Sequence, residues 1–195
     1  MISEKDPAPF ISVVMPCLNE EESIGACIEK IKQSFSELNI VGEVVVCDNG
    51  STDRSAVIAS ALGAHVVLEM KRGYGHAYQT GFREARGQFL VMADADDTYD
   101  LTQLNRFLEK LKQGYDFLTG SRYLDPNSKK NIKFSHRILG NPLLTKFLNY
   151  FFGLKYTDVY CGYRAFSRTA YDKIAPVSSG MEFNLELAIN ASKAI

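Results

Sequence analysis

Between residues 11 and 121, short β-branched runs alternate with longer segments whose apolar residues recur at helical spacing, and this alternation constrains the fold most. Strands separated by helices cannot close as hairpins, so they pair in parallel as βαβ units with helices laid over the sheet. The expected class is α/β, with a mainly parallel central sheet flanked by helices. Strands are expected at 11–15, closed by Pro16, and at 44–47, 64–68, 89–93 and 117–121. A first helix is marked by Ile24, Cys27, Ile28, Ile31 and Phe35, with Asn19 and the acids Glu20, Glu21 and Glu22 at its start. Others are expected at 54–62, from the Gly-rich segment to Arg86, and along Leu101, Leu104, Leu108 and Leu111. In such a sheet, ligands collect at the carboxyl ends of the strands, and each strand here ends in polar residues.

A chain of 195 residues, 46% apolar, fits a single domain spanning 1–195 with one sizeable core. Its 22 basic and 23 acidic residues give no global field that would attract nucleic acid. Cys17, Cys27, Cys47 and Cys161 form no CxxC pair and are expected as reduced core thiols. The acidic, proline-containing start MISEKDPAPF does not read as a signal peptide, and no run of 18 apolar residues spans a bilayer, so a cytoplasmic location is expected. The sequence stops inside a helical pattern without a stop signal, as a piece of a longer polypeptide would.

Asp94, Ala95, Asp96 and Asp97 follow an apolar strand directly. Two carboxylates at a strand end suit Mg²⁺ or Mn²⁺ with positions left open for phosphate oxygens; a solvated acidic turn is the alternative. Asp48, Asn49, Gly50 and Ser51 close an earlier strand, either as readers of a ribose and base or as a turn with an N-cap. Gly73 and Gly75 permit close backbone approach, to a ligand or within a tight strand-to-helix turn. Tyr78 stands where a dinucleotide fingerprint would need a third Gly, so NAD is not expected. His76 and His136 have no partners at zinc-ligand spacing.

Pro16-Cys17-Leu18-Asn19-Glu20, then Asp48-Asn49-Gly50-Ser51-Thr52-Asp53, then Asp94-Ala95-Asp96 resemble, in that order, the motifs of family 2 glycosyltransferases. Three later segments narrow the resemblance to polyprenyl-phosphate (dolichyl-phosphate) mannose and glucose synthases. These are Gly120-Ser121-Arg122-Tyr123, the run from Asp158 to Phe166, and Met181-Glu182-Phe183. The resemblance implies a GT-A-type fold and inverting transfer of a hexose from a UDP- or GDP-sugar to polyprenyl phosphate. It implies Pro16, Leu18, Glu20, Asp48 and Asn49 around the nucleoside, with Gly73, Gly75 and Ala95 also on the donor side. Asp94 and Asp96 would hold Mg²⁺ or Mn²⁺ and the diphosphate, and Arg122 and Arg137 the acceptor phosphate. Asp158 falls where relatives are thought to place a general base, although a turn-capping Asp fits equally. A saccharide acceptor, or a nucleotide-sugar-binding module without turnover, are the alternatives.

Lys129, Lys130, Lys133, His136 and Arg137 precede an apolar, aromatic stretch with Leu143, Leu144, Phe147, Leu148, Phe151 and Phe152. Basic groups beside an amphipathic aromatic helix suit an anionic membrane surface and a lipid phosphate, whereas the same residues in a core helix would face inward. Glu182 and Glu186 lie one helical turn apart and are expected either near the crevice or paired on the surface.

Overall fold

The computed structural model describes residues 8–124 and 140–194. Five strands run parallel or nearly so in sequence as expected: β1 (Ile11–Cys17), β2 (Gly42–Asp48), β3 (His65–Leu68), β4 (Phe89–Met92) and β5 (Phe117–Thr119). A sixth, β6 (Arg164–Ser167), is inserted between β4 and β5 and runs antiparallel to both, giving the order β3-β2-β1-β4-β6-β5. The sheet is thus mixed but mainly parallel.

Helices cover both faces. On one side lie α1 (Ile24–Glu37), α2 (Ser55–Ala61) and α4 (Leu104–Lys112), the last entered through a 3₁₀ turn at Leu101–Gln103. The other side carries α3 (Tyr74–Glu84), α6 (Arg168–Ile174) and α7 (Phe183–Ala194). Between β5 and β6 the chain forms α5 (Asn141–Phe152). Because both faces are covered, the central strands are apolar at almost every position. Val13, Met15, Val46 and Val91 enter the core under α1 and α4, while Val14, Val45, Leu90 and Met92 enter the core under α3 and α7. All four cysteines are free and buried, as expected, and burial pushes the Cys47 thiol up to about 12.

Three local expectations are corrected. β1 does not stop at Pro16 but continues to Cys17. The Val14 carbonyl accepts from Ala93 of the β4 side and the Cys17 carbonyl from Asn49 of the β2 side, so by alternation Pro16 faces β4. The β4 ladder has already ended at Met92, and no N–H is needed there. Second, α1 begins at Ile24, and Glu20–Glu22 precede it as a turn whose Glu20 carbonyl accepts from the Ser23 and Ile24 amides. Third, β6 was not expected because its first residue is an arginine. Arg164 is fully buried, and its guanidinium donates to the carbonyls of Cys161 (2.8 Å), Val159 (2.6 Å) and Asn184 (2.8 Å). Those bonds replace the solvation that a buried cation loses.

Candidate functional site

The strand order reverses at β1, with β2 and β3 on one side and β4 on the other, and the crevice at such a switch point is where open α/β sheets bind ligands. A cleft of about 330 Å³ lies there. Pro16, Leu18 and Glu20 reach it from the end of β1, Asn49 from the end of β2, and Asp94, Ala95 and Asp96 from the end of β4. Three segments far apart in sequence thus supply seven expected residues to one cavity.

The loops are laced together. The Asn19 amide donates to Ser51 Oγ (3.0 Å), the Glu20 amide to Ser55 Oγ (2.8 Å) and the Glu21 amide to Asp53 Oδ2 (3.0 Å). In return, Asn19 Oδ1 accepts from the Thr52 amide at 2.8 Å. Asn19 sits at φ 59°, a left-handed turn that Asn tolerates better than most residues. Asp53 and Ser51 therefore shape the wall of the cleft without lining it.

Asn49 lines the cleft, but its amide is engaged: Nδ2 donates to the carbonyls of Glu69 and Lys71, and Oδ1 accepts from the Gly73 amide. Asp48 is buried, accepts from the Ser51 amide at 3.0 Å, and is not among the residues lining the cleft. The close approach that Gly73 and Gly75 allow is to this chain itself. A Cβ on either would overlap a carbonyl of Ser179 or Ser178, and the Gly75 amide donates to Ser179 at 2.8 Å. Neither glycine lines the cleft, so the structure supports the tight-turn reading for both.

At the end of β4 the three carboxylates have separate surroundings. Asp97, at φ 56°, turns to Lys30 of α1 in an exposed ion pair at 2.7 Å. Asp96 is exposed and accepts only from the Thr98 amide, at 3.0 Å, among the described residues. Asp94 accepts from the hydroxyls of Tyr74 (2.9 Å) and Tyr78 (3.0 Å). Burial raises its pKa, opposed by the tyrosine hydroxyls and reinforced by the nearby Asp96. Among the described residues there is no cluster of three or more His, Cys, Asp or Glu fit to enclose a metal. Two carboxylates at an open cleft are instead the donor set of a hard cation that keeps water or phosphate oxygens as its other ligands, so Mg²⁺ or Mn²⁺ fits Asp94 and Asp96.

Arg122 and Asp158 lie apart from that cleft. Arg122 lines a neighbouring cavity of about 290 Å³ with Tyr99, Arg106 and Tyr163. Its Nε and Nη2 donate to Asp158 Oδ2 (2.8 Å) and Oδ1 (3.0 Å), its backbone amide donates to Oδ2, and Asn141 Nδ2 donates to Oδ1. Burial alone would raise the Asp158 pKa, but the guanidinium and these donors hold it below the usual carboxylate range. A carboxylate that is fully buried, accepts four hydrogen bonds and resists protonation is a poor general base, so the anchoring alternative for Asp158 is the one the geometry supports. Arg122 keeps the N–H groups of Nη1 outside this pair. Arg137 and the basic residues 129–133 and 136 lie outside the described residues.

The reading from sequence missed Tyr74, Ala77 and Met181, which with Cys17, expected only as a core thiol, complete the wall of the first cleft. Tyr74 and Tyr78, four apart after the Gly-rich segment, carried a signal in their shared helical face. Met181 carried one only as part of the Met181-Glu182-Phe183 segment of the resemblance. Glu186 is held by the Val177 and Ser178 amides and Glu182 by the Gly180 amide, so both brace the loop before α7.

The family described as Glycosyl transferase family 2 matches residues 12–175. The low-salt glycan biosynthesis hexosyltransferase Agl6 of Haloferax volcanii is 43% identical over 97% of this chain and 46% of its own length. A dolichyl-phosphate hexose transferase of the same organism is 32% identical over 81% of this chain and 66% of its own. This chain therefore spans between about half and two thirds of these curated relatives. Glucosyl-3-phosphoglycerate synthase of Mycobacterium tuberculosis, crystallised with Mn²⁺, uridine diphosphate and phosphoglyceric acid, superposes with a TM-score of 0.70 at 25% identity. That match covers 92% of this chain and 62% of the other. The GT-A-type fold expected from the motifs is the observed one.

Proposed function

The chain belongs to glycosyltransferase family 2, and from that premise we propose that it is the catalytic domain of an inverting hexosyltransferase that uses a UDP- or GDP-sugar and polyprenyl phosphate. The observation that carries this reading is the convergence of Pro16, Leu18, Glu20, Asn49, Asp94, Ala95 and Asp96 on one cleft at the switch point. Leu18 and Pro16 offer an apolar wall for the base and Glu20 an acceptor for ribose hydroxyls. Asp94 and Asp96 are the residues that would hold Mg²⁺ or Mn²⁺. Such a cation, when bound, neutralises charge that develops on the departing nucleoside diphosphate. A phosphate acceptor is already anionic near neutral pH, so a structural Asp158 leaves the reaction without a deficit. The guanidinium of Arg122, fixed by Asp158, orients that acceptor through Nη1. The Mn²⁺ and uridine diphosphate of the mycobacterial synthase, and the dolichyl phosphate in the name of the haloarchaeal relative, support this assignment of donor side and acceptor.

Helix α5 supports an acceptor at a membrane surface. Its inward face is mixed: Asn141 and Thr145 are buried, Leu148 joins a small apolar cluster with Leu154, Val159 and Ala188, and Thr145 Oγ1 takes up the Val159 amide next to Asp158. Its outward face is apolar, with Leu143 67%, Phe147 52%, Tyr150 83% and Phe151 63% exposed. Water does not stabilise that arrangement, whereas an interface between headgroups and acyl chains does. Among the described residues no helix is long and apolar enough to cross a membrane. The domain would then act on the cytoplasmic face, resting on the lipid through α5.

Two measurements test the reading. A thermal-shift panel of UDP, GDP, CDP and ADP, with and without Mn²⁺, is expected to give a metal-dependent rise with one nucleotide. Ligand at about 100 times its dissociation constant adds roughly 2.7 kcal/mol, or about 5 to 11 °C for a domain this size. Labelled hexose is then expected to enter the organic phase with polyprenyl phosphate; label transferred only to saccharides would refute the lipid acceptor. Replacing both Phe147 and Phe151 by Ser is expected to weaken binding to anionic vesicles at least about tenfold, since each buried Phe contributes roughly 1.5–3 kcal/mol. Co-sedimentation reads this, and unchanged partitioning would remove α5 from the membrane contact.

A further inference from the structure

We propose that Tyr74, Tyr78 and Gly162 position Asp94 so that it offers the cation a single oxygen, Oδ2. The inference rests on the metal assignment above. A carboxylate oxygen has two lone-pair directions, and both on Asp94 Oδ1 are taken, by Tyr74 at 2.9 Å and Tyr78 at 3.0 Å. The two tyrosines stand one turn apart on α3, their rings edge to face at 4.9 Å between centroids. Tyr78 has no freedom to turn away, being fully buried and stacked on Phe82 and Phe183. Tyr74 is held from the other side by Asn184 Nδ2 at 3.3 Å.

The Tyr99 hydroxyl also interacts with this carboxylate, so with Oδ1 filled it lies beside Oδ2, and the remaining approach to Oδ2 is kept open by an absence of atoms. A Cβ on Gly162 would sit 2.6 Å from Asp94 Oδ2 and 3.0 Å from the hydroxyls of Tyr74 and Tyr99. The Gly162 amide donates to the Tyr99 hydroxyl at 2.8 Å, which fixes this glycine against the carboxylate. No other residue type leaves that space. Asp94 is therefore a rigid ligand with one oxygen to give, while the exposed Asp96, bound among the described residues only through Oδ1 to the Thr98 amide, is the one that adjusts as the cation and diphosphate enter. Tyr74 and Tyr78 are positioning residues in this scheme and touch no reacting atom.

The test is Mn²⁺ uptake, followed by the loss of the free-ion signal in electron paramagnetic resonance, with saturating UDP and then GDP and without any acceptor. Tyr74→Phe and Tyr78→Phe are each expected to weaken uptake about tenfold, the lower end of what lost partners of metal ligands cost. Gly162→Ala is expected to weaken it at least as much, because the new Cβ must displace Oδ2. Tyr171→Phe, whose ring packs on Phe82 and Phe166, is expected to leave uptake unchanged. Wild-type protein that takes up no Mn²⁺ with either nucleotide would overturn the metal assignment and this inference with it. Wild-type uptake with tyrosine variants within twofold of it would overturn the positioning scheme alone. So would variants whose melting temperature in chelator falls while Mn²⁺ affinity holds, since that is the signature of packing without positioning.

Discussion

Replacing Asp96 by Ala is expected to lower hexose transfer by roughly a thousandfold, the equivalent of about 4 kcal/mol of transition-state stabilisation. The same change should barely touch the fold. Asp96 is exposed and, among the described residues, accepts a single backbone hydrogen bond, from Thr98, so its removal belongs with surface substitutions that cost within about 0.5 kcal/mol. Its neighbour supplies the control. Asp97 is also exposed but faces Lys30, and an exposed ion pair contributes about 0–1 kcal/mol, so Asp97→Asn, which keeps a residue that tolerates φ 56°, should retain both stability and transfer. A charge effect spread over the whole acidic turn would make the two variants alike; a metal ligand set of Asp94 and Asp96 makes them differ by orders of magnitude. Turnover and Mn²⁺-dependent nucleotide binding in the Asp96 variant at wild-type levels would remove the residue from the site.

The contrast between these neighbours shows what the sequence can and cannot carry. Parallel strands buried on both faces leave apolar runs, so β1, β2 and β4 could be read from Val, Ile, Leu, Met and Phe, the half-buried β3 and β5 from shorter apolar runs, and helix α1 from Ile24, Cys27, Ile28, Ile31 and Phe35. β6 could not, because it opens with a buried Arg164 whose hydrogen-bond partners come from α7 and from the turn after Asp158. A residue that looks like surface becomes core only through partners distant in sequence. The donor cleft was legible because its residues follow strand ends, and strand ends of one sheet converge by topology. The division of labour within it was not. Nothing in the chain near Asn49 indicates that its amide would be spent on Glu69, Lys71 and Gly73, nor near Gly75 that the backbone approaching it would be Ser178. Those are contacts between loops, fixed by how helices seat on the sheet, and their chemistry is the same whether the partner is ligand or chain.

Asp158→Ala is expected to destabilise the domain by about 3–5 kcal/mol, because it leaves the Arg122 guanidinium with 17% side-chain exposure and no counter-charge. For a domain of this size that is a fall in Tm of roughly 6 to 20 °C. Asn141 loses its partner as well, so the tie between α5 and the loop before β6 slackens. The pH dependence has a definite sign. Interactions with Arg122 and Asn141 depress the folded-state pKa despite burial, so the stabilisation is present above the unfolded carboxyl value of about 3.9 and is lost as pH falls through the folded value. The gap between wild type and variant should therefore be full at pH 7 and close progressively below about pH 4. Removing both charges in an Arg122→Met, Asp158→Ala double variant should recover part of the loss, since most of the single-variant cost is an unpaired buried cation. A general base would behave otherwise: the single variant would keep its melting temperature and lose the acidic limb of its rate profile, and the double variant would recover nothing. Urea titrations of the wild type and the two variants at pH 7 and pH 3.5 separate the two roles without any acceptor being present.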